Sequence, residues 1–226
     1  MAPFLALLPL AGALWTQEAW SLRTETRAGD KAVYALTMRV EAANSLQSEG
    51  RIERSVASVR PDGTYMMRSG TYMMRSRNLG TRITVGADSL LDETPREKAA
   101  WFGPNGLLVR WEPASAAAAN AAQLTYLTTF ITPPKAVQVG EGWTVMVEPG
   151  ANGLKVGADI RYVLASQRDG LATVTMNYRE KGTNGATATG TWTLDAKTGA
   201  PQRLEASVLN FAGETGAKAT LVMVRE

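Results

Sequence analysis

The sequence predicts a mainly β (α+β) fold: a curved antiparallel meander sheet or half-barrel with one main helix packed on its concave face. Three observations carry this expectation. Apolar side chains recur at every second position over much of the chain, turn-forming residues interrupt them at short intervals, and one Ala- and Leu-rich stretch breaks the alternation.

The alternation is explicit in both halves. Tyr34, Leu36, Met38 and Val40 fall in one phase, with Thr37, Arg39 and Glu41 in the other. The pattern returns at Ile160, Tyr162 and Leu164, at Ala172, Val174, Met176 and Tyr178, and at Ala188, Gly190, Trp192 and Leu194. Leu204, Ala206 and Val208 continue it, followed by Ala219, Leu221 and Met223. Successive side chains of a strand point to opposite faces, so each segment reads as one buried and one wet face. Arg168-Asp169-Gly170 and Asp195-Ala196-Lys197-Thr198-Gly199 supply reversals in the second half. Pro61-Asp62-Gly63 and Gly103-Pro104-Asn105-Gly106 supply them in the first. Gly, Asn and Asp tolerate the positive φ that tight hairpins require. Six strands are expected between Trp143 and the C-terminus. Their spacing leaves no room for crossover helices, so the sheet should be a meander.

Residues 115–131 depart from this period. Asn120, Leu124, Leu127 and Ile131 fall at helical spacing beside Ala117 and Ala121. Ser115 can cap the start, and Pro133-Pro134 forces a stop. The apolar stripe of such a helix needs a surface to cover it, and the concave side of a curved sheet provides one. Thr94-Pro95-Arg96-Glu97 has capping-box spacing, yet the following residues 98–102 read better as the first arm of the Gly103–Gly106 hairpin.

The N-terminus reads as an address. Residues 3–14 are apolar throughout, and this run is too short to span a bilayer, which takes about 20 residues. Ala11-Gly12-Ala13 fits the small-x-small cleavage pattern of a secretory signal, although no Lys or Arg precedes the run. The expectation is a signal peptide over residues 1–13 (extending to 19 if cleavage is later), then one β domain over 21–226. The mature chain is expected to work extracytoplasmically, in the periplasm or secreted, with no transmembrane segment.

Composition narrows the chemistry. The 226 residues contain no Cys and no His. That removes disulfides, thiol nucleophiles and thiolate metal sites, together with the commonest general base and metal ligand. No cofactor and no metal site are expected. The formal net charge of +3 calls for no nucleic-acid partner. Asp88, Asp92, Glu93 and Glu97 cluster in sequence, but their spacing matches no calcium loop and reads as a solvated segment. Trp101, Trp111, Trp143 and Trp192 fall in expected strands and read as core.

One repeat stands apart. Residues 63–69, Gly-Thr-Tyr-Met-Met-Arg-Ser, recur unchanged at 70–76. Seven is odd, so one straight strand would show Tyr65 and Tyr72 on opposite faces. The chain should therefore bend or bulge at Ser69-Gly70, or carry Tyr on both faces. The plain reading is a lengthened strand with Met filling gaps in the core. A Met-only Cu(I) site is a second reading. A third is a partner- or anion-binding hairpin built from Tyr65, Tyr72, Arg68, Arg75 and Arg77, together with Arg82.

The segment Pro134-Lys135-Ala136-Val137-Gln138-Val139-Gly140-Glu141-Gly142-Trp143 resembles the Val-Gly-Asp/Glu-x-Trp strand start of a group of uncharacterised secreted bacterial β-proteins. Gly190-Thr191-Trp192-Thr193-Leu194-Asp195, with Lys197-Thr198-Gly199-Ala200-Pro201, is similar to the closing hairpin of that group. In layout the chain resembles the LolA/LolB-type extracytoplasmic carriers, in which a curved sheet wraps helices around an apolar cavity. Those carriers usually place more than one helix there, whereas this sequence offers one.

The function expected from these readings is non-enzymatic binding of an apolar ligand, a lipid or a lipidated protein between sheet and helix. Leu124, Leu127, Ile131, Trp143 and Trp192 are its candidate contacts. Such a site needs an opening of about 300 Å³ or more. The alternative is an assembly protein of the cell envelope that meets an envelope partner through a sheet edge or the Arg-rich hairpin. A carboxylate-based hydrolase is a further alternative with no residue pair to favour it.

Overall fold

In the computed structural model the described residues are 18–41, 46–78, 89–92, 96–112, 119–150 and 152–226, with backbone alone at 46, 71–78, 89–92, 96–97 and 119–120. They form β1 (Lys31–Glu41), β2 (Leu46–Val59), β3 (Tyr65–Asn78), β4 (Ser89–Asp92), β5 (Arg96–Phe102) and β6 (Leu108–Glu112). The helix α1 (Ala119–Thr128) follows, then β7 (Gly142–Val147), β8 (Ala158–Arg168), β9 (Leu171–Glu180), β10 (Thr187–Asp195), β11 (Pro201–Leu209) and β12 (Lys218–Arg225). All belong to one curved, open antiparallel sheet in the order β6-β5-β3-β2-β1-β12-β11-β10-β9-β8-β7, with β4 pairing β3 beside this path. The mainly β fold with one helix is thus the observed one. Residues 96–102 are a strand, and six strands follow Gly142.

Neighbours on the main path of the sheet are close along the chain, except at the centre. There β1 pairs β12, with Tyr34 opposite Arg225 and Glu41 opposite Lys218. The reversals sit where the turn residues stand. Asp169 and Gly170 both take positive φ, 54° and 76°, which matches the twist of a two-residue hairpin between β8 and β9. In the β10–β11 loop the Asp195 carboxylate accepts from the Lys197 and Thr198 N–H groups at 3.1 and 2.7 Å.

The duplicated heptads resolve their odd period differently from the expectation. Arg51 of β2 pairs Tyr72 and Glu49 pairs Arg75, so Met73 and Met74 together oppose Gly50. The bulge in β3 lies inside the second copy, not at Ser69-Gly70. A second shift, at the first copy, leaves Ala57 as the extra residue on β2. An extra residue on each strand in turn keeps the long β2–β3 ribbon paired while it twists.

The helix also differs. Ser115 lies outside the described residues, and α1 stops at Thr128 rather than running to Ile131. The Thr128 hydroxyl donates to the Leu124 carbonyl at 2.8 Å, and the Thr128 carbonyl accepts from the Arg54 guanidinium at 2.7 Å. Residues 129–132 then run in irregular, buried conformation, and the Thr132 N–H donates to the Asn105 carbonyl at 2.9 Å. The buried side of α1 is centred on Ala122, Gln123, Tyr126 and Leu127, with Leu124 half-buried. The helix is held from several directions. The Tyr126 hydroxyl donates to the Leu108 carbonyl on β6 at 3.1 Å, Gln123 donates to Glu180 on β9 at 3.0 Å, and Arg54 on β2 grips its last turn. The Trp111 Nε1 of β6 donates to the Asn152 carbonyl behind β7 at 2.8 Å. The two edge regions of the sheet therefore approach each other, and the sheet wraps the helix.

The core lies between the inner face of the sheet and α1 with its trailing segment. Phe130 meets Trp143, Tyr162 and Trp192 edge-on at centroid distances of 6.0, 5.6 and 5.8 Å, and Trp143 stacks on Tyr162 at 5.1 Å. Each such pair adds about 0.5–1.5 kcal/mol beyond simple burial. Trp101 is buried as expected, but outside the inner core cluster. It is on the outer face, where Arg60 lies 3.8 Å and Arg110 5.6 Å from its ring centroid and cover it.

Candidate functional site

Four of the five candidate ligand contacts fall inside the packed core, and the fifth, Leu124, packs half-buried against it. Leu127, Ile131 and Trp192 are fully buried, Trp143 nearly so. The Trp143 Nε1 donates to the Ile131 carbonyl at 3.1 Å, which fixes the indole against the trailing segment. None of the five lines the cavity described next.

That cavity lies beside them, between the inner face of β1–β3 and the segment after α1. Its volume is about 270 Å³, just under the expected lower bound, and roughly that of nine water molecules at ~30 Å³ each. Tyr34, Val56, Tyr65, Met67 and Phe130 form its apolar walls. The strand period places them there. Ile52 and Val56 of β2 face inward, so Arg54, midway between them, faces inward too. Opposite it on β1 stands Ala32, and on β3 Ser69, so short neighbours leave room for the guanidinium.

Arg54 is the unusual member. Its Nη1 donates to the Thr128 carbonyl at 2.7 Å and its Nη2 to the Thr128 hydroxyl at 2.8 Å. This is a C-terminal helix cap, and the negative end of the helix dipole offsets part of the buried charge. The Tyr34 ring centroid lies 5.5 Å from the guanidinium carbon, a cation–π distance. No ion pair with a carboxylate joins it among the described residues, and its Nε is sealed from solvent without a hydrogen-bond partner. Desolvation pushes the Arg54 guanidinium below its ordinary range, opposed weakly by Tyr34 and Tyr65; it stays a cation at any ordinary pH. Thr129 also lines the cavity, and its hydroxyl, just behind that lining, is likewise buried and unpartnered. Tyr65 stacks on Phe102 at 5.5 Å, and burial pushes its phenol up to about 12.

Two larger hollows, about 570 and 530 Å³, run over the outer face and share Asn177, Thr189, Ser207 and Thr220. They are open grooves over Asn177, Thr189, Ser207 and Thr220, the larger one flanked by Arg39, Arg179, Leu209 and Lys218, and neither contains a buried unpartnered polar atom. The inner cavity is the one in which apolar walls and an unsatisfied charge converge.

The structure describes part of the Arg-rich hairpin. Tyr65 faces the cavity, whereas Arg68, three residues on, is exposed. Tyr72, Arg75 and Arg77 pair in β3 by backbone, with side chains outside the described residues, as is Arg82 altogether. Met66 pairs Trp101 and Met67 pairs Ala100, on opposite faces, so these two thioethers do not converge on one copper ion. Asp88 and Glu93 lie outside the described residues, and no group of three or more His, Cys, Asp or Glu that could hold a metal occurs among the described ones. No described helix is long and apolar enough to cross a membrane.

Neither a family model nor a curated protein matches this chain. Among solved structures, lipovitellin, in a study of its lipid–protein interactions, is similar at a TM-score of 0.55 and 8% identity, over 88% of this chain and 25% of that one. This chain therefore spans a quarter of that protein's length. The likeness is one of fold.

Proposed function

We propose that this chain is an extracytoplasmic binding protein, not an enzyme, that holds a small apolar ligand between the inner sheet face and the segment after α1. The observation that carries the reading is the 270 Å³ cavity walled by Tyr34, Val56, Tyr65, Met67 and Phe130. Its size suits one short acyl chain or one ring system rather than a many-chained lipid. The likeness to lipovitellin, a structure concerned with lipid–protein interactions, supports an apolar ligand in such a sheet. The lack of His and Cys supports binding over catalysis. The leader-like N-terminus supports an extracytoplasmic setting.

A neutral solvatochromic dye and octan-1-ol test the reading. The folded protein should bind the dye, octan-1-ol should displace it, and Val56→Trp should abolish both by filling the cavity from β2. Circular dichroism checks that the variant keeps its fold. Dye binding that Val56→Trp leaves unchanged would place the ligand elsewhere and end this reading.

A further inference from the structure

We propose that the ligand is an amphiphile with one anionic head, a carboxylate in the first instance, held at Arg54 and Thr129 while its apolar body lies against Tyr34, Tyr65, Met67 and Phe130. The inference rests on the binding function above and specifies the chemistry of its ligand.

Three observations converge. The first is the cation itself. A guanidinium has five N–H groups in a rigid fork, and Thr128 takes two of them. The Nε–H is buried without an acceptor. Leaving a buried charged donor unmet costs more than leaving a neutral one. A helix end supplies only about half a charge, so the site retains positive potential. The second is the neighbouring hydroxyl. Thr129 lines the same cavity, and its Oγ1, just behind that lining, is buried and unpartnered. A carboxylate has two oxygens with about four lone-pair sites, enough to accept from both the guanidinium and a hydroxyl. The third is the balance of charge around the opening. The charged residues that line it are Asp30, Lys31, Arg54 and Arg225, one acid against three bases, of which Lys31 is paired with Glu53 at 3.9 Å. The Asp30 carboxylate already accepts from the Arg27 N–H at 2.7 Å. An anion is drawn in and a cation is repelled.

The apolar walls exclude a bare anion as the preferred guest. They reward a tail with every methylene it buries. The bulk of the cavity, about nine waters, corresponds to a chain of about eight carbons with its head group.

Isothermal titration of the folded protein with octanoate, octan-1-ol, octylamine and acetate tests this. Octanoate should bind about ten- to a hundredfold more tightly than octan-1-ol. Octylamine should bind more weakly than the alcohol, and acetate at least a hundredfold more weakly than octanoate. Arg54→Met should erase the octanoate preference while octan-1-ol still binds, which also shows that the cavity survives. Arg54→Lys should keep part of the preference, and Thr129→Val should lower octanoate affinity several-fold. Equal binding of octanoate and octan-1-ol would overturn the anionic head and leave the apolar site standing. Acetate as tight as octanoate would overturn the amphiphile. If no eight-carbon compound binds and the dye does not either, the binding function itself falls.

Discussion

The two sides of the sheet treat the same inner face in opposite ways. Under the C-terminal meander, Ile160, Leu164, Ala172, Val174, Met176, Tyr178, Trp192, Leu194 and Leu204 are 0–1% exposed, sealed by α1 and the aromatic cluster. Under β1–β3, Tyr34, Leu36, Ile52 and Tyr65 retain 5–9%, and Arg54 takes a position in the apolar phase. One half spends its inner face on packing, while the other leaves space and places a charge in it. The binding site proposed above is the space that β1–β3 leave unfilled.

The largest test of that contrast is Trp192→Ala. It removes the centre of the sealed side and should cost about 3–5 kcal/mol in chemical denaturation. If the variant stays folded, octanoate affinity should change little; a collapse of affinity without a loss of stability would invert the comparison. Alkaline pH gives the next effect. The Tyr65 phenol is raised from its ordinary value to about 12. Its contribution is full below pH 10, where both states are protonated, and is lost as pH rises toward 12, on the order of 2 kcal/mol. Burial raises Tyr162 and Tyr178 further. Ultraviolet titration should therefore show the cavity-side Tyr65 ionising before the meander-side pair, and Tyr65→Phe should remove that step.

A smaller effect is expected at Gly199. Its φ is +69°, and an added Cβ would meet the Leu22 carbonyl at 2.8 Å. Leu22 is fully buried, and Thr24 and Thr26 beyond it border the cavity. Gly199→Ala should cost about 1–3 kcal/mol, with faster amide exchange over residues 20–26. The least disruptive change is Met67→Ala, which trims a half-buried wall. It should cost about 1 kcal/mol or less and shift the preferred chain toward longer carboxylates in the titration series.

Much of this was legible in the chain. The meander strands alternate cleanly because one face is buried and the other wet, and their turns carry the Asp and Gly that positive φ requires. The helix was legible in existence but not in phase. Held by β2, β6 and β9 together, it buries Gln123 and Tyr126, which no one-sided apolar stripe would select. The five proposed contacts were apolar residues at strand and helix positions, and such residues pack first. Arg54 was missed, though one signal was present: Ile52 and Val56 put it in the buried phase of its strand. A charge in phase with apolar neighbours marks a candidate site, and a search for apolar residues passes over it. Tyr65 was noticed for its repeat and its neighbour Arg68, whereas the partner that matters to it lies on another strand.

The pairing of β1 with β12 has a consequence for how the protein is made. Every other neighbour on the main path of the sheet is close in sequence, so two ladders can zip as the chain emerges. The inner seam cannot. Roughly 190 residues separate Tyr34 from Arg225, which at about 5–20 residues per second means roughly 10–40 s of synthesis. Throughout that interval the β1 edge has no mate, and an unmated edge invites other chains. The final strand is thus the keystone of the molecule, and its arrival ends the period in which a nascent chain is open to trapping or to the grip of a chaperone.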